Sequence, residues 1–257
     1  MAPALAIATP ISFIGRLRIA LRLMLMLAAL FVALPIHVLF ELITGKSHIP
    51  GRFLAAVAAI AGVRVSERGT KVTRGAFYIA NHVSWIDIPA LAGSTGTAFV
   101  GHDGLASMPV LRWLCSLNDT VFVARHDRRS VASQARQVAN ALDENDALAI
   151  FPEGTTSDGT GLLPFKSALL SAFEPVPPGI AVQPVYLDYA EVPDIAWIGD
   201  DPGLDNFLRI LARRRPVELT LHFLPPLAGP QLADRKTIAA AAQQAIARAM
   251  AGGDALS

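Results

Sequence analysis

The sequence predicts an α/β fold in which a mostly parallel sheet is flanked by helices and preceded by an N-terminal membrane-associated helical segment. From about residue 63 onward, short β-branched runs alternate with helical stretches, a pattern typical of parallel sheets covered by helices. A long apolar run precedes them, and charged residues make up 17% of the chain, against about 25% in soluble domains. We therefore divide the 257 residues into a membrane-associated segment, residues 1–62, and an α/β domain, residues 63–257.

The apolar run of the N-terminal segment lies between Arg22 and Glu41. Its 18 residues carry no formal charge, and as a helix they would extend about 27 Å, close to the hydrocarbon thickness of a bilayer. Pro35 is expected to bend this helix, and His37 adds a polar group. A second apolar run, residues 53–63, is too short to cross a bilayer as a helix.

Charge is distributed unevenly along the chain. Residues 1–75 hold nine basic and two acidic residues, a net charge of +7, whereas the remainder carries −6 and the whole chain +1. A basic, apolar N-terminal end is typical of a segment that meets anionic lipid headgroups. The overall balance gives no sign of nucleic-acid binding, and the single cysteine, Cys115, excludes an intramolecular disulfide and a cysteine-rich zinc site.

Three membrane arrangements are compatible with the N-terminal segment. Basic residues flank both ends of the first apolar run, so the positive-inside rule selects no orientation for a single span. A helical hairpin that dips into one leaflet, with both ends on the cytosolic side, removes this conflict and is favoured. A single span and a signal peptide remain alternatives, although no convincing cleavage site follows the run. We expect the protein at the cytoplasmic membrane, with its active site on the cytosolic face.

Seven strands and at least two helices are expected in the domain. Val131, Ala135, Val138 and Leu142 recur at helical spacing between two of the strands. The alanine-rich stretch Lys236–Met250 is expected to form the last helix. The expected strands are Val63–Val65, Ala76–Ala80, Ala98–Val100, Thr120–Val123, Ala147–Phe151, Val182–Leu187 and Val217–Phe223.

The first polar group follows the second expected strand, where Asn81 and His82 are followed by Asp87, five residues beyond the histidine. Open α/β sheets bind ligands at such positions, beyond the carboxyl ends of their strands. Within one helix the two residues would lie about 140° apart, so they can meet only if His82 lies in the strand–helix turn. Asp87 would then accept from one imidazole nitrogen and leave the other as a base. The structural alternative is that Ser84 caps a helix and Asp87 closes a capping box.

The second polar group follows the fifth expected strand and spans residues 151–159, FPEGTTSDG. Its carboxylate, glycines and hydroxyl groups form a polar turn whose backbone N–H groups could bind an anion, although an ordinary turn has the same composition. Another strand leads to Arg125, which could anchor an anionic headgroup, and Lys166 adds a cation after the Glu153 turn. A surface position is the common alternative for such an arginine.

Together these segments resemble the glycerolipid acyltransferase family, whose best-known members acylate 1-acylglycerol-3-phosphate. Order and spacing agree over about residues 75–190, and four blocks in order are far more specific than one. The matches are Asn81, His82 and Asp87 to the N-H-x4-D block, Phe122 and Arg125 to the strand ending in arginine, residues 151–155 with Phe165 and Lys166 to the F-P-E-G-T block, and residues 182–185 to the apolar-proline block.

The resemblance implies roles for these residues and for the co-substrate. It implies no metal and no cofactor, with a thioester of acyl carrier protein or coenzyme A as the acyl donor. The implied partners are this donor, a membrane lipid substrate and the membrane surface, without nucleic acid. The implied catalytic pair is His82 and Asp87, and the implied acceptor-binding residues are Phe122, Arg125, Glu153, Gly154, Thr155 and Lys166.

Residue 156 departs from the pattern of relatives that use a phosphate acceptor, which typically place arginine there. This chain has Thr156, and its FPEGTTSDG run and residues 196–200, AWIGD, are more similar to the lyso-ornithine lipid acyltransferase branch. That acceptor has an amino-acid headgroup without phosphate, and Glu153 or Asp158 could meet its ammonium group. Loss of arginine agrees with loss of phosphate, because arginine offers bidentate contacts that threonine lacks. Arg125 and Lys166 remain available for phosphate, so both acceptors stay open.

The predicted activity is O-acyl transfer to the free hydroxyl group of a lysolipid in membrane lipid biosynthesis. The sequence contains no G-x-S-x-G nucleophile motif, and the proposed reaction needs no acyl-enzyme. A lipid hydrolase or a phospholipid-dependent transacylase could use the same histidine and remains an alternative. A non-catalytic lipid-binding protein is a second alternative, which leaves the joint presence of His82, Asp87 and the Glu153 turn unexplained.

Overall fold

The computed structural model describes residues 11–45, 47–102, 120–123, 141, 146–198 and 202–252. Arg125 and most of the helix expected over residues 131–142 lie outside these described residues. Within them, the chain forms one sheet with helices on both faces behind a long apolar N-terminal helix. The predicted fold class, a mostly parallel α/β sheet preceded by an apolar helical segment, is confirmed.

Seven strands form the sheet in the described part of the chain: β1 (Val63–Gly69), β2 (Ala76–Ala80), β3 (Ala98–His102), β4 (Val121–Val123), β5 (Ala147–Ile150), β6 (Ala181–Tyr189) and β7 (Val217–Phe223). Their spatial order is β1–β7–β6–β2–β5–β3–β4. Neighbouring strands run parallel except β6 and β7, which pair antiparallel. The carboxyl ends of β2 to β6 therefore lie at one edge of the sheet, where open α/β sheets bind ligands.

The helices cover two apolar cores on opposite faces of the sheet. Because side chains alternate across a strand, β2 directs Tyr78 to the first core and Phe77 to the second. The helices are α1 (Phe13–Thr44), α2 (Ile49–Ala61), α3 (Asp87–Thr95), α4 (Val192–Ile195), α5 (Gly203–Ala212) and α6 (Arg235–Met250). Buried residues of α2, α3 and α5 contribute to the first core, and buried residues of α6 contribute to the second.

All seven expected strands are present, and the last helix begins one residue before its predicted start. Helix α2 ends at Ala61 and β1 begins at Val63, on either side of the predicted division between segment and domain. This short connection leaves α2 packed against the domain rather than separated from it, since α2 contacts both α3 and β1.

A glycine brings α3 close to α2. A Cβ atom placed on Gly93 would lie 2.6 Å from the Cα atom of Ala55, closer than real side-chain contacts allow. The two helices can therefore approach to this distance only because residue 93 has no side chain. Helix α3 begins at Asp87, a candidate site residue, so its packing against α2 also holds that residue in place.

The N-terminal part of α1 is joined to α5 by two arginines. Arg18 donates to the carbonyl oxygen of Ala212 at 2.6 Å. Arg22 donates to the carbonyl oxygens of Ile210 and Leu211 at 3.2 and 3.0 Å. These carbonyl groups form the last turn of α5, where a helix leaves acceptors unsatisfied and its dipole favours cations. The arginines therefore connect the N-terminal helix to the domain.

The remainder of α1 is apolar and exposed. The helix has 32 residues, and its most apolar window has a mean hydropathy of 2.5 with no residue buried. It continues through Pro35 as one helix. By length and composition α1 can cross a membrane, and its exposed apolar surface indicates membrane association.

Candidate active site

The candidate catalytic residues lie in the turn between β2 and α3. Asn81, the first residue after β2, extends the strand pairing with its side chain. Its amide nitrogen donates to the carbonyl oxygen of Leu187 at 3.2 Å, and its amide oxygen accepts from the Leu187 N–H at 2.8 Å. The buried amide thus substitutes for a backbone partner of β6, so the chain turns away from the sheet at His82 while remaining attached to it.

His82 and Asp87 are in contact, as the bent turn predicts. The Nδ1 atom of His82 lies 2.7 Å from Oδ2 of Asp87, the first residue of α3. The alternative capping box forms only in part: the Asp87 carboxylate accepts from the Ser84 N–H at 2.9 Å, but Ile86 is the N-cap residue and makes no side-chain cap. The hydroxyl group of Ser84 instead donates to Oδ1 of Asn206 at 3.3 Å. The catalytic role of the pair stays a prediction.

The Asp87 carboxylate is fully buried, with 0% of its side chain exposed. Besides contacting His82, Oδ2 accepts from the backbone N–H groups of Val83 and Ser84 at 2.6 and 2.9 Å. The other oxygen, Oδ1, accepts from the hydroxyl group of Tyr189. Burial of an ionised carboxylate is unfavourable unless hydrogen bonds compensate, and these donors supply that compensation. Both oxygens of the buried Asp87 carboxylate are therefore hydrogen-bonded.

The His82 ring is held in one orientation. It stacks on the ring of Phe151, with 4.3 Å between centroids and 14° between planes. Because Nδ1 faces the carboxylate of Asp87, we assign the proton of the neutral imidazole to Nδ1 and the lone pair to Nε2. No residue in the described ranges hydrogen-bonds Nε2, and 16% of the side chain is exposed. Nε2 is thus available to take a proton from a bound hydroxyl group.

Glu153 holds the backbone of the His82 turn. Its buried carboxylate accepts from the N–H of His82 at 2.9 Å and from the N–H of Leu163 at 3.0 Å, one donor on each oxygen. Burial raises the pKa of Glu153, and the two N–H donors oppose that rise. From the same loop, Ser157 donates through its N–H to the His82 carbonyl oxygen at 2.7 Å. The loop after β5 therefore fixes His82 from both sides.

Three other predicted acceptor-binding residues follow β5. Gly154 has a left-handed backbone with φ of 67°, and its N–H donates to the carbonyl oxygen of Phe151 at 3.0 Å. Thr155 and Lys166 are exposed, while the Lys166 N–H donates to the carbonyl oxygen of Pro152 at 2.9 Å. Exposed side chains beside the His82 turn are compatible with acceptor binding, which stays a prediction for Gly154, Thr155, Lys166 and Glu153.

Two of the predicted site residues that follow strand ends, His82 and Glu153, lie together in the structure. They follow the neighbouring strands β2 and β5, and the backbone N–H of His82 donates to the Glu153 carboxylate. Arg125 lies outside the described residues, two positions after β4, which β3 separates from β5. Phe122 lies within β4, and its side chain is likewise outside the described part. The roles of Phe122 and Arg125 stay predictions.

A segment after α4 is hydrogen-bonded to both the His82 turn and the loop after β5. The hydroxyl group of Thr156 donates to the carbonyl oxygen of Trp197 at 2.5 Å. The Trp197 N–H in turn donates to the carbonyl oxygen of Val83 at 3.0 Å. Asn206 of α5 supports the same segment by donating to the carbonyl oxygen of Ala196 at 3.1 Å. Thr156 is therefore engaged in holding the site together, a role that the sequence did not indicate.

Proteins with similar sequences are named as acyltransferases. The model of the acyltransferase family matches residues 62–188, which contain His82, Asp87 and Glu153. A lyso-ornithine lipid O-acyltransferase from Rhodobacter capsulatus is 32% identical, with 94% of this chain and 93% of that protein covered. A protein of the same name from Pseudomonas aeruginosa is 35% identical, with 78% and 77% covered. A 1-acyl-sn-glycerol-3-phosphate acyltransferase from Neisseria gonorrhoeae is 36% identical over 46% of each chain.

A solved structure shares the fold. The crystal structure of the 1-acyl-sn-glycerophosphate acyltransferase PlsC from Thermotoga maritima superposes with a TM-score of 0.58 and 19% identity. The superposition covers 91% of this chain and 97% of that one, so the likeness includes nearly the whole molecule. Together with the sequence match along most of the chain, this places the protein in the acyltransferase family.

Proposed function

We propose that this acyltransferase transfers a fatty acyl group from a thioester to the free hydroxyl group of lyso-ornithine lipid at a membrane surface. The observation that carries the proposal is the contact between Nδ1 of His82 and the buried carboxylate of Asp87. This pair leaves Nε2 as a base at the ligand-binding edge of the sheet. Acyl transfer to a hydroxyl group requires such a base.

The proposed reaction begins when Nε2 of His82 takes the proton of the acceptor hydroxyl group. The oxygen attacks the thioester carbonyl carbon, and a tetrahedral oxyanion forms. Its collapse breaks the carbon–sulfur bond, and the departing thiolate receives the proton from the imidazolium. Asp87 stabilises the imidazolium through Oδ2, while Glu153 and Ser157 hold the His82 backbone in place. General base catalysis of this kind contributes about 10²- to 10⁴-fold, and positioning contributes much of the rest.

The acceptor is proposed from the chemistry around residue 156. A phosphate monoester carries close to two negative charges at neutral pH and favours several cations. Thr156 supplies no cation, and its hydroxyl group is bonded to Trp197. The relatives from Rhodobacter capsulatus and Pseudomonas aeruginosa, which match over most of their length, are named lyso-ornithine lipid O-acyltransferases. A zwitterionic ornithine headgroup, with one carboxylate and one ammonium, needs fewer cations than a phosphate.

An acid for the ammonium group is available in the loop after β5. From the sequence, Glu153 and Asp158 are the two candidates for contacting the ammonium group. Glu153 is buried with one backbone donor on each oxygen, whereas Asp158 is exposed. One oxygen of Asp158 accepts from the N–H and the hydroxyl group of Thr160, both at 2.9 Å. We therefore propose Asp158 as the acid that meets the ammonium group.

Helices α1 and α2 are proposed to hold the site at the cytosolic face of the cytoplasmic membrane as a hairpin within one leaflet. The apolar exposed surface of α1 and its packing against α2 support this arrangement. Both ends of the hairpin then lie on the side of the domain, and α2 leads directly into β1. The donor, acyl carrier protein or coenzyme A thioester, would approach from the cytosol.

Product analysis tests the proposal. The purified protein in vesicles would receive lyso-ornithine lipid or lysophosphatidic acid, each with an acyl carrier protein or a coenzyme A thioester, and lipids and free thiol would be quantified. We expect ornithine lipid with one thiol released per lipid formed, and less diacyl phosphatidic acid at equal acceptor concentration. Exclusive acylation of lysophosphatidic acid would contradict the proposed acceptor.

The same assay separates the alternative activities. A hydrolase would release free fatty acid, and a transacylase would form product from a phospholipid without a thioester. A non-catalytic lipid-binding protein would bind lipid and give no product, with the wild type and His82→Ala behaving alike. Any of these results would contradict thioester-dependent acyl transfer.

A further inference from the structure

The Asp87 carboxylate has a partner on the side away from His82. Tyr189 is the last residue of β6, and its hydroxyl group donates to Oδ1 of Asp87. The contacts with His82, Val83 and Ser84 all involve the other oxygen, Oδ2. Among the described residues, Tyr189 is therefore the donor to Oδ1, and it comes from a strand 102 residues away in sequence.

The position of Tyr189 is fixed by the sheet. Its side chain is buried in the first apolar core, and its backbone pairs with Leu219 of β7. Two residues earlier on the same face, Leu187 exchanges two hydrogen bonds with the side chain of Asn81. The strand that carries the phenol and the turn that carries His82 are thus joined directly, so the hydroxyl group cannot move away from Asp87 without disrupting both.

A carboxylate held through Oδ2 alone would be less constrained. Its second oxygen would face an apolar core, where an unpaired acceptor is unfavourable and the anion is less stable. It could relieve this by rotation, which would weaken the contact with Nδ1 of His82. Burial and the nearby Asp87 charge raise the pKa of Tyr189 well above its ordinary value, so the phenol remains a donor.

We propose that Tyr189 is a positioning residue for acyl transfer. Its hydroxyl group binds Oδ1 of Asp87 and thereby directs Oδ2 at the Nδ1 atom of His82. The proposal rests on the His82–Asp87 function proposed above and assigns Tyr189 a supporting role for that pair. Tyr189 does not contact the reacting atoms, so its effect on the reaction passes through Asp87.

Tyr189→Phe with Tyr186→Phe as a matched control tests the proposal. Tyr186 lies three residues earlier on β6, is also buried, and donates to Oδ1 of Asp188 at 3.2 Å on the other face. Both variants remove one hydroxyl group from the same strand. Because a hydrogen bond to a charged group is removed, we expect Tyr189→Phe to lower kcat about tenfold with little change in the acceptor KM. Tyr186→Phe should stay within about twofold of the wild type. Equal rates for the two variants would overturn the proposal.

A double variant asks whether the effect passes through the Asp87 anion. In the Asp87→Asn background the anion is absent, so adding Tyr189→Phe should lower kcat by less than about twofold. A further tenfold loss in that background would mean that Tyr189 acts by packing, and would refute the positioning role. The two proposals also fail separately. Full activity of His82→Ala would refute the general base, whereas inactive His82→Ala with normal Tyr189→Phe would refute only the role of Tyr189.

The pH dependence of kcat provides a readout that packing alone would not move. In the described part of the chain, the titratable groups that act on the pair are Glu153, from the loop after β5, and Tyr189, from β6. Loss of the Tyr189 donor changes how the Asp87 carboxylate acts on the adjacent imidazole. The acid limb of the profile for Tyr189→Phe should therefore move, whereas that of Tyr186→Phe should stay where the wild type has it.

A fluorinated tyrosine at position 189 keeps the test valid if Tyr189→Phe does not fold. 3-Fluorotyrosine retains the hydroxyl group and makes it a stronger donor with almost the same shape. The acid limb should then move away from its wild-type position. The same substitution at position 186 should leave the profile unchanged. An unchanged profile for a folded protein with 3-fluorotyrosine at position 189 would overturn the proposal.

Discussion

In the described part of the chain, two histidine–aspartate pairs lie at the sheet, and they differ in how the carboxylate is held. In the first, Nδ1 of His82 is 2.7 Å from Asp87, whose side chain is 0% exposed. In the second, Nε2 of His222 is 3.4 Å from Oδ2 of Asp188, whose side chain is 44% exposed. Asp87 accepts from two backbone N–H groups and a tyrosine hydroxyl group, while Asp188 accepts from the Tyr186 hydroxyl group.

The comparison shows that proximity of the two residue types does not by itself define a base. At 3.4 Å the His222 nitrogen has no hydrogen-bond partner among the described residues, and its carboxylate is largely screened by solvent. The ring of His222 stacks on Tyr186 with 5.4 Å between centroids, a packing contact on the second face. His82 combines a buried, fixed anion on Nδ1 with an available Nε2 atom. Burial and anchoring of the carboxylate therefore distinguish the candidate catalytic pair.

The largest expected effect follows from removing the His82 imidazole. His82→Ala should lower kcat by at least about 100-fold, because general base catalysis contributes about 10²- to 10⁴-fold. Flotation with vesicles should be unchanged, since α1 and α2 are not altered. His222→Ala is the matched control, with an expected rate within about twofold of the wild type. Retention of more than about a tenth of the rate by His82→Ala would show that the base was misassigned.

Removal of the Asp87 charge is expected to come next. Asp87→Asn should lower kcat about 100-fold, because a neutral amide cannot stabilise the imidazolium and its NH₂ group cannot accept from Val83 and Ser84. Asp188→Asn is the corresponding change in the second pair and should have little effect. Similar losses from the two substitutions, measured at saturating acceptor, would remove the distinction between the pairs.

A smaller effect is expected from Glu153→Gln. The amide oxygen can accept from either His82 or Leu163, so one buried N–H is left facing an NH₂ donor, at a cost of about 1–3 kcal/mol. We expect kcat to fall about tenfold through displacement of His82, with little change in the acceptor KM.

Kinetics separate this positioning role of Glu153 from the acceptor-binding role that the sequence predicts. An unchanged kcat with a raised acceptor KM would favour acceptor binding. Asp158→Asn, which alters the exposed acid of the same loop, provides the comparison. It should raise the KM for lyso-ornithine lipid by a few fold while leaving kcat close to that of the wild type.

The smallest expected effect concerns acceptor preference at residue 156. Thr156→Arg should shift the kcat/KM ratio toward lysophosphatidic acid over lyso-ornithine lipid by about three- to tenfold, because a guanidinium favours phosphate. Thr156→Val is the control, since it removes the bond to the Trp197 carbonyl without adding charge. If the valine variant shifts the ratio equally, the lost bond rather than headgroup charge would explain the change. An unchanged ratio for both would remove Thr156 from the specificity argument.

The parts of the site that lie close together in sequence were predictable. The strand before His82, the five-residue spacing to Asp87 and the edge position of Glu153 all follow from local pattern and from the geometry of parallel strands. Tyr189 and Asn206 were not predictable in the same way. A tyrosine at the end of a β-branched strand resembles any core residue, and only the sheet order brings it to Asp87.

The function of individual side chains was also harder to predict than their location. Glu153 was expected to meet the acceptor, yet its oxygens accept from two backbone N–H groups. Thr156 was interpreted as the loss of an arginine that binds phosphate, yet its hydroxyl group donates to the carbonyl oxygen of Trp197. Each role depends on a contact with a segment that is distant in sequence: Glu153 contacts His82, 71 residues away, and Thr156 contacts Trp197, 41 residues away. Such contacts leave no periodic pattern in a sequence.

The arginine contacts of α1 have a consequence for the depth at which the reaction takes place. Arg22 binds the end of α5, and Asn206 of the same helix binds Ser84, beside the catalytic turn. The height of His82 above the lipid chains is therefore set by how far α1 is immersed. One residue of helix corresponds to about 1.5 Å along the axis, half the reach of a hydrogen bond. A lipid whose hydroxyl group lies at another height must rise or sink to react, so the depth of α1 in its leaflet becomes a determinant of which lipids this enzyme acylates.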